Sequence, residues 1–121
     1  MKRTVLLLAV LAAALVAASG VALAATFNGT NKGERLVGTR FADNIDARGG
    51  NDVVLGLGGN DAIRGDDGND RLSGGPGNDR LISRDVRSPG GANRDVVRCG
   101  GGNDTAFVDS RDRVVGCERW R

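Results

Sequence analysis

The chain of 121 residues contains no histidine and no tyrosine, and aromatic residues make up only 3% of it. Without histidine there is no imidazole general base, no Ser-His-Asp or Cys-His arrangement, and no His-ligated metal. The two cysteines are too few for a four-thiolate zinc site. With so few large rings, a conventional packed core is hard to build. No Gly-x-Gly-x-x-Gly is complete, no phosphate-binding loop ends in Gly-Lys-Ser/Thr, and no EF-hand loop closes on glutamate. These absences remove most enzyme classes at the outset. What is abundant is glycine, 20 residues of it, together with acid and base in near balance.

The segment from Met1 to Ala24 has the three-part layout of a secretory signal peptide. Met1-Lys2-Arg3-Thr4 is a basic start, Val5 to Ala18 an apolar run, and Ala22-Leu23-Ala24 a small-x-small site with cleavage expected after Ala24. The rival reading is an uncleaved anchor, since apolar and small residues continue through Ala25. Cleavage removes two of the 17 basic residues and none of the 15 acidic ones, leaving 15 against 15. A balanced chain argues against nucleic-acid binding, which rests on net phosphate neutralisation. The expected destination is extracellular, with no membrane association of the mature form.

A nine-residue period organises the rest. Gly50-Asn51-Asp52, Gly59-Asn60-Asp61, Gly68-Asn69-Asp70 and Gly77-Asn78-Asp79 recur without a slip. Two residues after each aspartate stands an aliphatic: Val54, Ile63, Leu72 and Leu81. Projecting backwards gives Asp43 with Ile45 and Glu34 with Leu36, so six nonapeptides run from Gly29 to Ile82. This assigns residues 25–82 to the repeats, 83–89 to a loop excursion, and 90–121 to degenerate repeats and a C-terminal cap. Within that last part Asp95 and Asp104 restart the pattern. Val108 to Gly116 reads as a worn unit, with Arg113 at the aspartate position and Val115 at the apolar one.

Each unit is a glycine-permitted turn followed by a short strand whose middle side chain points inward. Two units return the chain to the same side about 4.8 Å away, giving a solenoid of two facing sheets. Residues two periods apart then stack. One edge carries Asp43, Asp61 and Asp79, continued by Asp104, and the other carries Glu34, Asp52 and Asp70, continued by Asp95. Stacked carboxylates repel unless a cation lies between them. Glycine carbonyls of the same turns (Gly50, Gly59, Gly68, Gly77) add hard oxygen ligands, and all-oxygen coordination favours calcium over magnesium and excludes zinc and copper. The bland alternative makes the Gly-Asn-Asp triplets plain turn formers, but that leaves the aspartate in phase with an aliphatic unexplained. One aliphatic per unit buries little against the backbone it must order, so the coil is expected to need its several calcium ions to fold.

These units resemble the Gly-Gly-x-Gly-x-Asp-x-aliphatic-x nonapeptide of the RTX family, the hemolysin-type calcium-binding repeat. The resemblance implies an all-β, right-handed parallel β-roll with two repeats per turn. It further implies calcium between successive turns, held by the repeat aspartates and turn carbonyls. On this chain the ligands would be Asp52, Asp61, Asp70 and Asp79, with Asp43, Asp95 and Asp104 following. Two features depart from the family. Many of its members leave the cell by an uncleaved C-terminal signal, and they carry a protease, lipase or pore-forming domain for which this chain has no room. Small secreted repeat-only bacterial proteins with a Cys-containing end are the closer likeness.

Cys99 and Cys117 are two full periods apart, hence in the same phase and expected on adjacent rungs within disulfide reach. Two free thiols or a redox pair are the alternative, weakened by the lack of Cys-x-x-Cys. Val108 to Arg121 reads as the terminal unit a solenoid needs, with Trp120 packed on the cap or, alternatively, contacting carbohydrate or protein. Asn28-Gly29-Thr30 fits a glycosylation acceptor, and the strand arginines Arg64, Arg71 and Arg80 read as a solvated face. The sequence thus predicts a non-catalytic, secreted calcium-binding protein that folds on binding extracellular calcium. The competing reading is a calcium-rigidified module that binds cell-wall polymer, matrix or another protein.

Overall fold

Strands form where the period sets one inward apolar side chain between two outward residues, often arginine or a β-branched residue, and glycine follows directly after Asn28, Val37, Leu55, Arg64, Ser73 and Val115. A computed structural model describes residues 24–85 and 93–121; the expected signal peptide and most of the excursion lie outside them. The strands are β1 (Ala25–Asn28), β2 (Arg35–Val37), β3 (Asp43–Asp46), β4 (Val53–Leu55), β5 (Ala62–Arg64), β6 (Arg71–Ser73), β7 (Arg80–Ile82), β8 (Val96–Arg98), β9 (Thr105–Phe107), β10 (Arg113–Val115) and β11 (Arg119–Trp120). Odd-numbered strands make one sheet in the order β1-β3-β5-β7-β9-β11, and even-numbered ones make the other, β10-β8-β6-β4-β2. Every pairing is parallel. The fold is the expected solenoid, a parallel β-roll in which successive strands alternate between the two sheets.

The register is a direct readout of the period. Arg35 pairs with Val53 and Val53 with Arg71, each a step of two periods, and Ile45 pairs with Ile63 at the same step. Across the excursion Arg71 pairs with Val96 and Arg80 with Thr105, so the step there is seven residues longer than two periods and the phase then resumes. The core is two files of inward side chains. Phe27, Ile45, Ile63, Leu81 and Ala106 come from one sheet, and Leu36, Val54, Leu72 and Val97 from the other, all essentially fully buried. Phe27 adds a half-turn before the first unit found by periodicity.

The last turn departs from the expected phase. Arg113 pairs with Val96 and Val114 with Val97. Asp112, not Arg113, therefore stands in the carboxylate column, and Val114, not Val115, faces the core. The cause is a turn one residue shorter than the repeat: Asp112 N–H donates to the Asp109 carbonyl, while Asp109 N–H donates to Asp112 Oδ2 at 2.7 Å. Val115 is left 43% exposed. Cys99 and Cys117 are joined, with Cα atoms 5.0 Å apart. Cys99 N–H bonds Val115 O, so the partner cysteine sits one residue past strict register. Trp120 pairs with Ala106 in β11, but its ring is 62% exposed, so it is not packed beneath a cap as expected.

Candidate metal centre

The turns bring the repeat aspartates into two columns, and the hydrogen bonds show how each carboxylate is used. Asp43 N–H donates to Asp61 Oδ1 (2.9 Å), Asp61 N–H to Asp79 Oδ1 (2.8 Å) and Asp79 N–H to Asp104 Oδ1 (2.7 Å). On the other edge Glu34 N–H donates to Asp52 Oδ1 (2.8 Å), Asp52 N–H to Asp70 Oδ1 (2.8 Å), Asp70 N–H to Asp95 Oδ1 (2.6 Å) and Asp95 N–H to Asp112 Oδ1 (3.0 Å). One oxygen of each aspartate thus ties down the preceding turn. The second oxygens of Asp61, Asp70, Asp79, Asp95 and Asp104 are buried and accept no hydrogen bond among the described residues. A buried carboxylate oxygen without a donor is costly, so these oxygens call for a cation or a proton.

The electrostatics agree. Burial pushes the carboxyls of Asp61 and Asp70 up to about 8, Asp95 to about 7 and Asp79 to about 6. Bonds from the preceding turn's N–H groups act against that rise. Neighbouring carboxylates add to it: Asp79 and Asp43 around Asp61, and Asp95, Asp52 and Asp85 around Asp70. Asp104 is raised for the same leading reason.

Beside three of the open oxygens is space that only glycine leaves. A Cβ at Gly56 would sit 2.5 Å from Asp61 Oδ2 and 2.9 Å from the Gly74 carbonyl oxygen. A Cβ at Gly65 would sit 2.7 Å from Asp70 Oδ2, and one at Gly74 would collide with Asp79 Oδ2 and lie 2.8 Å from the Cys99 carbonyl. Asp52 and Asp104 have Ala47 and Cys99 at the equivalent place, five residues upstream, where a Cβ is already present. Among the described residues no group of three or more acidic, cysteine or histidine side chains forms a cage. A cation between turns would draw instead on single carboxylates and on carbonyls, as a hard oxygen-seeking ion can. The donor set fits calcium.

Protein donors close both columns at their first turn and the Glu34 column at its last, while the other column ends on the open Asp104 Oδ2. Thr39 gives its N–H (2.6 Å) and hydroxyl to Asp43 Oδ2, and Thr30 N–H bonds Glu34 Oε1. At the far end the Ser83 hydroxyl and Asp109 N–H occupy Asp112 Oδ2. Asp43, placed by sequence with the others, therefore has its second oxygen already engaged.

Two roles escaped the sequence. The repeat asparagines form a ladder running opposite to the aspartates. Asn69 N–H donates to Asn51 Oδ1 and Asn78 N–H to Asn60 Oδ1, while Arg94 and Asn103 N–H donate to Asn69 and Asn78 Oδ1, all at 2.7–2.9 Å. The glycines singled out for their carbonyls also pack closely against the next turn. The carbonyls of Gly50, Gly59 and Gly77 lie against Gly68, Gly77 and Gly102 of the next turn, and the Gly68 backbone bonds the Asp85 carboxyl. The carbonyls beside the open carboxylate oxygens belong to Gly74 and Cys99. The available signal was the in-phase glycine five residues before Asp61, Asp70 and Asp79.

The family model of the RTX calcium-binding nonapeptide repeat matches in four copies, over residues 28–63, 55–85 and 90–107. The chain belongs to the RTX calcium-binding repeat family. Calcium binding by a repeat protein follows from that membership, and the family type is a calcium-binding repeat and not a catalytic unit. No curated protein and no solved structure matches the chain. The RTX units end at residue 107 in this match, before the short turn and Cys117, which is joined back to Cys99 inside the last matched unit.

Proposed function

We propose that this RTX protein is a secreted, non-catalytic calcium-binding roll whose folding is completed by extracellular calcium. The ions would lie along the two edges, with Asp61, Asp70 and Asp79 as the principal carboxylate ligands and Asp95, Asp104 and Asp52 flanking them. Carbonyls of Gly74 and Cys99 would complete the shells beside Asp61 and Asp79. Asp43 contributes least, because Thr39 already serves it. The observation that carries this reading is the run of buried second oxygens on successive turns with no donor among the described residues. Calcium supplies the positive charge that lets these carboxylates stay ionised while buried. The residues supply the rest: Oδ1 atoms fix the turn spacing, glycines leave room, and asparagines hold the turns in line.

Secretion rests on the layout of Met1 to Ala24, which supplies a cleavable leader and a calcium-rich, oxidising destination in which the disulfide persists. The affinity is set at about 10⁻⁴–10⁻³ M, the range of extracellular modules, which keeps the chain unfolded during export. A far-UV circular dichroism titration of residues 25–121 with calcium, and magnesium as control, tests the reading. A cooperative, chelator-reversible gain of β signal selective for calcium supports it. A folded spectrum indifferent to calcium refutes it.

A further inference from the structure

The two outer faces of the roll differ in charge. On the odd-strand sheet the outward residues mix signs and partners: Asp46 lies in β3, Arg64 pairs with Asp66 at 2.9 Å, and Arg80 stacks over Phe107 at 5.0 Å. The even-strand sheet carries no acidic residue on any of its five strands. Register sets Arg35, Val53, Arg71, Val96 and Arg113 in one outward row, and Val37, Leu55, Ser73, Arg98 and Val115 in the next. The four arginines are exposed, and no ion pair engages any of them among the described residues. Arg71, Arg98 and Arg113 line a shallow groove of about 420 Å³ floored by Val53, Leu55 and Val96.

We infer that this even-strand face is a binding site for a linear acidic polysaccharide, its carboxylates held by Arg71, Arg98 and Arg113 with Arg35 extending the row. Guanidinium groups are suited to bidentate carboxylate recognition and are less tightly hydrated than ammonium. Along the row arginine recurs on every second strand, about 10 Å apart, which suits anions repeating along an extended polymer. The half-buried aliphatic floor fits the apolar faces of sugar rings. The face has no aromatic ring on which nucleic-acid bases would stack and no protruding ring to enter a bilayer, so a polysaccharide fits better than either. This deepens the proposed function and rests on it in one respect. Calcium on the buried edge carboxylates would cancel the chain's main negative charge, leaving the loaded roll cationic with this face as its most positive surface.

The test is binding of the calcium-loaded chain to a hyaluronan oligosaccharide too short to gel. It is run with single-stranded DNA and phosphatidylserine vesicles in parallel, and with circular dichroism in calcium and in chelator. The variant Arg71→Gln/Arg98→Gln/Arg113→Gln is compared with Arg64→Gln/Arg80→Gln/Arg119→Gln, which removes the same charge from the other sheet. The expected result is salt-sensitive binding weakened at least about tenfold by the first triple and less than about twofold by the second. Equal losses in the two triples, no binding by the native protein, or tighter binding to DNA or vesicles would overturn the assignment. Calcium-driven folding without oligosaccharide binding sinks the face alone. Face-specific binding by a roll indifferent to calcium sinks the calcium reading alone.

Discussion

Asp70 is where the calcium reading and a purely structural reading of the aspartates disagree in sign. Its carboxyl is 1% exposed, its Oδ1 accepts Asp52 N–H at 2.8 Å, and its Oδ2 has no protein donor among the described residues. The substitution Asp70→Asn keeps the oxygen that ties the turns and deletes the charge. Burial moves this carboxyl from 3.8 to about 8, so at pH 7 the metal-free roll must take up a proton that the unfolded chain has released, which costs it at most about 4 kcal/mol, and about 2 kcal/mol once solvent access is allowed for. In chelator the variant should therefore be more stable than the parent by about 1–2 kcal/mol, the new amide N–H₂ consuming part of the gain. In calcium at tenfold its dissociation constant, each lost ion costs about 1.4 kcal/mol, so the variant's calcium-induced gain should be smaller than the parent's by that amount per ion and its metal-free advantage should be erased. Urea unfolding followed by far-UV circular dichroism, in chelator and in calcium, measures both. The reasoning is refuted if Asp70→Asn destabilises the metal-free protein by more than about 1 kcal/mol while keeping the full calcium-induced gain. That outcome would make Asp70 a turn brace and nothing more.

The pH dependence should also change sign with calcium. Asp61, Asp70, Asp79 and Asp95 hold protons in the metal-free roll that the unfolded chain releases near 3.8. Metal-free stability is thus greatest below about pH 4 and is lost as pH rises through about 6 to 8. Calcium affinity should rise over the same range, since protons and the ion compete for the same oxygens; urea midpoints at pH 5 and pH 8, with and without calcium, check both slopes. Leu57, exposed and held at φ 68°, pays for a backbone state glycine adopts freely. Leu57→Gly should raise stability by up to about 1 kcal/mol by urea denaturation. Gly77→Ala, whose Cβ would run into the Gly59 carbonyl at φ 118°, should lower it by more than about 2 kcal/mol. Asn60→Ala removes the acceptor for Asn78 N–H and should cost about 1 kcal/mol in the same assay. Cys99→Ser/Cys117→Ser opens the loop that the disulfide closes and should cost about 3 kcal/mol, read as a drop in melting temperature against the oxidised parent.

Much of the roll was legible because a solenoid's contacts repeat at a fixed sequence distance. The step that pairs Ile45 with Ile63 and Val54 with Leu72 is the nine-residue period read twice, so core files and aspartate columns could be written down before any coordinates. Family membership was legible in the same residues, since Asp52, Asp61, Asp70 and Asp79 repeat with their aliphatics in phase. Legibility ended where the period ended. Asp112 and Val114 were missed because a turn lost one residue, and only its closure through Asp109 reveals which phase the chain takes.

The sequence by itself determined the strand spacing, the two-sheet roll and the stacking of carboxylates, because each is a consequence of residue type at a constant interval. The tertiary structure alone decided which oxygen of each aspartate is spent on the neighbouring turn and which is left open. It also showed that Thr39 closes one column at its first turn and Ser83 the other at its last, and that the even-strand face gathers arginines with no ion pair among the described residues. Those facts depend on which atoms of different turns meet at hydrogen-bond distance, and a period fixes which residues are neighbours without fixing how their atoms are shared.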